Sequence, residues 1–171
     1  MEFSELIKKR HSIRKYTNEP ISEEQLNYIL EAGRICQSAR NRQPWEILIL
    51  KGERKNAVCD ELRKTGNPYL VKNADYIEEC DTILLIYTDK ENETDVDNLI
   101  SIGAMIHQMC LACFDVGLGC LWCRLIAYAQ ESVNKLLNIT DKYMVSGLLI
   151  GNYDCELVDR PRKSLEEIII K

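Results

Sequence analysis

Apolar residues recur along this chain at two spacings, and each spacing predicts a different kind of element. Phe3, Leu6, Ile7 and Arg10 follow a helical period, which predicts a short first helix carrying basic residues at its C-terminal end, where cations complement the helix dipole. Asn18, Glu19 and Pro20 break the chain. Ser22 followed by Gln25 is a capping-box signature, and Leu26, Ile29 and Leu30 then predict a second helix of about 14 residues. The stretch CQSARNRQP, 36–44, has no apolar period and reads as a loop, after which WEILILKG reads as a strand turning at Gly52. A third helix is predicted over about 54–65, closed by the break at Gly66, Asn67 and Pro68. TILLIYTD, 82–89, is the clearest buried strand.

An acidic turn, KENETDVD, leads into a long apolar segment from Asn98 to Val116. Leu99, Ile102, Ile106, Met109, Cys110 and Cys113 share a face in it, and its length favours a buried helix over a strand. GLG at 117–119 closes that helix, CLWCRLI is compatible with an extended stretch, ESVNKLLNI reads as a short helix and YMVSGLLIGNY as a third strand. The tail runs RPRKSLEEIIIK. No repeat or linker interrupts this order, which predicts one domain over residues 1–171. Helices and strands alternate without the regular rhythm of a doubly wound sheet, so the predicted class is α+β.

Composition narrows the functions available. With 171 residues, 46% hydrophobic and 29% charged, the chain can bury a substantial core, and a net charge of -5 argues against a broad cationic surface for nucleic acid or anionic membrane. No run approaches the roughly 18 consecutive apolar residues of a membrane span, and MEFSELIKKR lacks the order of a signal peptide, so a cytoplasmic protein is expected. In that setting the eight cysteines read as reduced thiols.

Against the acidic background three basic clusters stand out: KKRHSIRK at 8–15, Arg40 with Arg42, and Arg160 with Arg162 and Lys163. Gathered by the fold, they would offer guanidinium forks suited to a phosphate; scattered, they are three solvated patches. His11 and Ser12 set small hydrogen-bonding groups between the cations, as a specific polar ligand would use them. The pairs Cys110/Cys113 and Cys120/Cys123 suggest a metal site at first sight. Their gap is too short for a zinc ribbon, however, and the first pair lies within an apolar helical run, so buried thiols and no metal are expected. His107 has no nucleophile motif near it and reads as a core or interface residue. Neither a Gly-x-Gly-x-x-Gly fingerprint nor a P-loop is present, so any anion must be held by side chains.

In combination these stretches resemble the FMN-dependent nitroreductase family. Arg10-His11-Ser12-Ile13-Arg14-Lys15-Tyr16 is similar to its Arg-x-Ser-x-Arg-x-aromatic opening, and SARNRQPW at 38–45 to its Ser-x-x-Asn-x-Gln-Pro-Trp loop. GLGCLWC at 117–123 resembles its Gly-Leu-Gly-x-x-Trp segment, IGNY stands where it has Gly-Tyr-Pro, and RPRKSLEEII resembles its C-terminal segment. Departures from the pattern are Gln37 for Pro, Arg124 for a small Gly, and Asn152 with Tyr153 for Tyr-Pro.

The resemblance implies a homodimer of α+β subunits, each with a mainly antiparallel sheet flanked by helices, with FMN at the subunit interface and the C-terminal strand exchanged onto the partner. It implies that Arg10, His11, Ser12 and Arg14 contact the FMN phosphate, ribityl chain and pyrimidine edge, that Arg160 and Arg162 close on the phosphate, and that Ser38 and Asn41 reach the flavin from the partner. Trp122 and Cys123 would lie along the isoalloxazine. The implied activity is an FMN-dependent NAD(P)H oxidoreductase: NADH or NADPH gives a hydride to FMN N5, and a nitroaromatic, quinone-like or other small acceptor takes it in a ping-pong cycle with no protein acid or base. A flavin-binding protein without turnover, serving as a store or a thiol-based redox sensor, remains the alternative.

Overall fold

A computed structural model describes residues 2–17 and 19–170 of the protein. Helix α1, Phe3–Lys9, ends with Lys8 and Lys9 exposed in its last turn, and α2 spans Glu23–Arg34. Ser22 caps α2 as the capping box predicts: its hydroxyl accepts from the Gln25 N–H, and the Gln25 side chain accepts from the Ser22 N–H. Of the break expected at Asn18–Pro20, Asn18 lies outside the described residues.

Four strands form one antiparallel sheet in the order β1-β2-β4-β3: β1 Glu46–Lys51, β2 Thr82–Asp89, β3 Gly119–Cys123 and β4 Lys142–Gly151. The first seven residues of β2 are buried, as expected for a central strand covered on both faces. The extended stretch at CLWCRLI proves to be strand only as far as Cys123, and residues 124–129 continue as a tight 3-10 helix. Around the sheet pack α3, Gly52–Lys64; α4, Pro68–Glu79; α5, Val96–Asp115; and α6, Gln130–Leu137.

The class is therefore α+β, with a mainly antiparallel sheet flanked by helices. The core gathers Ile83 to Ile86 of β2, Leu148 to Ile150 of β4, and Ile102, Met105, Ile106, Met109 and Cys113 of α5. By length and composition alone α5 could cross a bilayer, at a mean hydropathy of 1.3, but half of that window is buried inside the protein. Leu99, assigned to its buried face, is only partly covered, and His107 is exposed, which goes against a core residue and leaves the interface reading open.

Helix α4 has no counterpart among the elements expected from the sequence, although Leu70, Ala74 and Ile77 stand at helical spacing on its buried face. Gly66-Asn67-Pro68 reads as a break, yet Asn67 caps the helix by accepting from the Tyr69 and Leu70 N–H groups, and Pro68 occupies the first turn, where a missing N–H costs nothing. The tail forms no strand: residues 165–168 make a single turn, α7, capped by Ser164, and Ile168, Ile169 and Ile170 are exposed.

Candidate active site

The segment after α1 leaves helical geometry at Arg10 and runs extended along the edge of the sheet. Ser12 bridges Cys120 of β3 in parallel, and the Ile13 N–H donates to the Cys120 carbonyl at 2.9 Å. Two glycines make room for it. Gly119 and Gly151 face each other across β3 and β4; a Cβ on Gly119 would lie 2.7 Å from Ile13 Cγ1 and from Tyr153, and one on Gly151 would lie 2.9 Å from the Tyr16 ring. Ile13 and Tyr16 fill the trough those glycines leave. The Tyr16 hydroxyl donates to the Ile13 carbonyl at 3.0 Å, and burial pushes the Tyr16 phenol well above its ordinary pKa.

With Ile13 and Tyr16 packed against the sheet, the polar residues of 10–14 face a cleft of about 560 Å³. Arg10, His11, Ser12 and Arg14 form one wall and Arg160 and Arg162 the other, so two of the three basic clusters meet at one place although some 150 residues separate them. Among the described residues Asp159 reaches back to the first wall, its Oδ1 3.1 Å from His11 Nε2, while His11 Nδ1 lies 2.8 Å from the Lys9 carbonyl. The third cluster stays apart: Arg42 pairs with Asp95 at 3.1 Å on a separate acidic surface.

A second cleft of about 450 Å³ adjoins the first, and Arg14, Lys72 and Tyr76 line both, so the two form one continuous trough. Trp122, Cys123 and Arg124 line its far end. The Cys123 thiol donates to Asn73 Oδ1 at 2.9 Å, and the Asn73 amide donates to the Tyr69 carbonyl at 2.6 Å, which fixes β3 against the face of α4 that bears Lys72. Burial pushes the Cys123 thiol up, so it sits there as a neutral donor.

Ser38 and Asn41 line neither cleft. They belong to the loop before β1, in which Arg40, Asn41 and Gln43 all adopt left-handed backbone with φ of 54°, 55° and 49°. Such a run is costly for residues other than glycine. It is held by the Ser38 hydroxyl accepting from the Gln43 N–H at 2.9 Å and the Ser101 hydroxyl accepting from the Ala39 N–H at 3.0 Å.

Residues that the sequence reading did not single out also line the trough: Lys72 and Tyr76 of α4, and Cys155 and Glu156 opposite the first wall. Tyr69, Lys72, Asn73 and Tyr76 stand at helical spacing on a mainly polar face, and the Asn67-Pro68 cap is the signal that could have exposed it.

Beside this geometry stand four resemblances. The family model described as the nitroreductase family matches residues 7–152. A Staphylococcus aureus NADPH-dependent oxidoreductase is 27% identical over 160 residues, 85% of this chain and 62% of that protein; the chain thus spans under two thirds of the length of such relatives. A structure described as a nitroreductase in complex with FMN, from Desulfovibrio desulfuricans, superposes with a TM-score of 0.85 at 25% identity, covering 100% of this chain and 96% of that one. An FMN- and NADPH-dependent nitroreductase variant from a Sphingopyxis strain shares the fold, with a TM-score of 0.89 at 20% identity and coverage of 99% and 98%.

Proposed function

This chain belongs to the nitroreductase family, and from that premise we propose that it is an FMN-dependent NAD(P)H oxidoreductase acting on a nitroaromatic, quinone-like or other small acceptor. The observation that carries the proposal is the pair of adjoining clefts, with guanidinium groups from both ends of the chain in one and Leu121, Cys123 and Leu125 in the other. Its residues fit FMN: Arg10, Arg160 and Arg162 suit a phosphate dianion, and Tyr76, Leu121 and Leu125 offer flat and apolar contacts for a ring. FMN, when bound, supplies two-electron chemistry at N5, with NADH or NADPH as the donor.

The protein's part is positional and electrostatic. Arg14 Nη1 donates to the Ser12 carbonyl at 3.3 Å, which steadies a cation on the wall shared by the two clefts, where it favours negative charge on a pyrimidine edge. Lys72 adds a second cation to that wall. Cys123, tied to Asn73, fixes the end of β3 and with it the main chain that would face the ring. No side chain of the trough is assigned as acid or base.

The proposed assembly is a homodimer. Val96 and Ile100 on α5 and the three terminal isoleucines are exposed apolar surface that a second copy would cover, and the tail would leave its present turn to add a strand to the partner's sheet. In that dimer Ser38 and Asn41 would serve the partner's trough. A thiol-based redox sensor gains no support: seven of the eight cysteines are buried, and burial raises Cys59 to about 11 and Cys80 to about 12, far from the thiolate a sensor needs.

The test is anaerobic spectroscopy of the purified protein with added FMN. Yellow protein that bleaches with NADH or NADPH and recovers on adding a quinone or nitroaromatic is the expected result. Yellow protein that bleaches with neither donor ends the reductase proposal, and protein that takes up no FMN ends the flavoprotein proposal too.

A further inference from the structure

Arg124 stands at the far end of the trough and takes no part in holding a phosphate at the near end. Its Nη2 donates to the Tyr143 hydroxyl at 3.0 Å, and its guanidinium lies 5.3 Å from the centroid of the Tyr128 ring. Those two contacts from β4 and the 3-10 turn fix the direction of a side chain that would otherwise sweep freely through solvent. Neither contact neutralises it.

The cleft it lines has an unusual charge balance for this chain. Arg14, Lys72 and Arg124 contribute three cations, and the other lining residues are Tyr69, Asn73, Tyr76, Leu121, Trp122, Cys123 and Leu125, with no carboxylate among them. The chain as a whole has 27 acidic residues against 22 basic ones, and several of its cations are paired. Arg34 meets Glu31, Arg42 meets Asp95, Arg63 meets Asp75 and Glu78, and Lys142 meets Glu46 and Asp89. Among the described residues no carboxylate pairs with Arg14, Lys72 or Arg124. A carboxylate-free, cation-lined cleft with apolar and aromatic walls is built for a flat body bearing a negative group.

From this we propose that Arg124 is a specificity-determining residue that selects acceptors carrying a carboxylate, seating the aromatic body beside Tyr69 with the carboxylate at the guanidinium. The proposal rests on the oxidoreductase assignment for the word acceptor, while the binding preference itself stands on the cleft alone. Phosphate groups are the business of Arg10, Arg160 and Arg162, so Arg124 is free for a ligand other than the flavin. An Arg already oriented by Tyr143 and Tyr128 forfeits little freedom on binding, which is what lets one exposed cation discriminate.

The test compares 4-nitrobenzoate with 4-nitrobenzamide, which share size and ring and differ in charge. Calorimetric titration is run on the protein as isolated and again after FMN addition, for the wild type, Arg124→Gln and Arg124→Lys. The wild type should bind the benzoate about tenfold more tightly, the worth of one charge-assisted contact. Arg124→Gln should erase that preference with the benzamide affinity unchanged, and Arg124→Lys should retain part of it. Equal weakening of both ligands, or of neither, overturns the proposal. So does a loss in Arg124→Gln that appears for NADPH and not for the benzoate, since the anion recognised would then belong to the donor. Because binding is read rather than turnover, protein that fails to bleach with NADPH sinks the reductase assignment while the benzoate preference is still measured.

Discussion

The two arginine-bearing walls of the trough are both irregular in backbone, but they are held in opposite ways. The wall at residues 10–17 is tied to the sheet: Ile13 donates to Cys120, Thr17 donates to Asn152 at 2.8 Å, and the side chains of Ile13 and Tyr16 are 2% and 7% exposed. The wall at residues 159–163 is exposed throughout, and Arg162 Nη1 donates only to the carbonyls of Arg160 and Pro161, its own neighbours. One wall is anchored by the sheet; the other is exposed and touches the first only through Asp159 at His11, so a ligand has more of it to hold in place. Ordering a backbone and two long side chains offsets much of what a charged contact contributes. Equal numbers of arginines therefore do not imply equal contributions.

That asymmetry is measurable, and flavin affinity should show its largest effect. Arg10→Ala removes a contact from the preformed wall and is expected to weaken FMN binding by about 1.5–3 kcal/mol. Arg162→Ala should cost clearly less, because the ordering penalty of its segment disappears with it. Fluorescence titration of FMN into both variants checks the order. A loss in Arg162→Ala equal to that in Arg10→Ala would show the tail to be as preformed as the first wall.

The glycine pair explains why the first wall is rigid, and it gives the next effect. Gly119→Ala sets a Cβ against Ile13 Cγ1 and the Tyr153 ring, both of them inward-packed atoms with little room to retreat. Overpacking of this kind costs about 1–3 kcal/mol, read as a lowered thermal midpoint. The same substitution should weaken FMN binding, because Ile13 cannot move without carrying Ser12 and Arg14. If the thermal midpoint falls while FMN affinity is kept, the anchoring of this wall is irrelevant to binding.

A finer cut is Tyr16→Phe, which preserves the packing and deletes the hydroxyl that donates to the Ile13 carbonyl. The expected loss is about 1 kcal/mol of folding stability, from one buried hydrogen bond. No comparable variant exists in the second wall, where no described side chain is buried.

What the sequence revealed and what it hid follow the same division between local and tertiary causes. The capping box at Ser22, the strand at 82–89 and the long helix before GLG are written in short-range patterns, and each appears with its ends within a residue or two. The basic residues of both walls stand out as letters against an acidic chain. Helix α4 does not, because its Asn67-Pro68 start looks like a break and masks the helical spacing of Leu70, Ala74 and Ile77, the buried face opposite Lys72. The exposure of His107 depends on which side of α5 meets the sheet, which spacing alone does not fix. Glycines 119 and 151 are plain in the motifs, but that they oppose each other, and thereby seat Ile13 and Tyr16, is a fact of strand register.

The smallest effect is the most discriminating, because it asks whether the first wall is a site or merely a charged surface. Lys9 adjoins Arg10 and carries the same charge, but it is exposed and does not line the trough. Its contribution to the wall is its main-chain carbonyl, 2.8 Å from His11 Nδ1, and that atom survives truncation of the side chain. Lys9→Ala should therefore change FMN affinity and stability by less than about 0.5 kcal/mol, as for an isolated surface substitution. A diffuse basic field predicts otherwise: neighbouring cations would then contribute alike, and added salt would shrink both effects together, since exposed charges farther apart than roughly 10 Å are largely screened at 0.1 M ionic strength. Titrating FMN into both variants at two salt concentrations separates the cases. A gap between them that persists at the higher salt means that geometry rather than net charge sets the affinity, which is what a wall seated on Ile13 and Tyr16 requires.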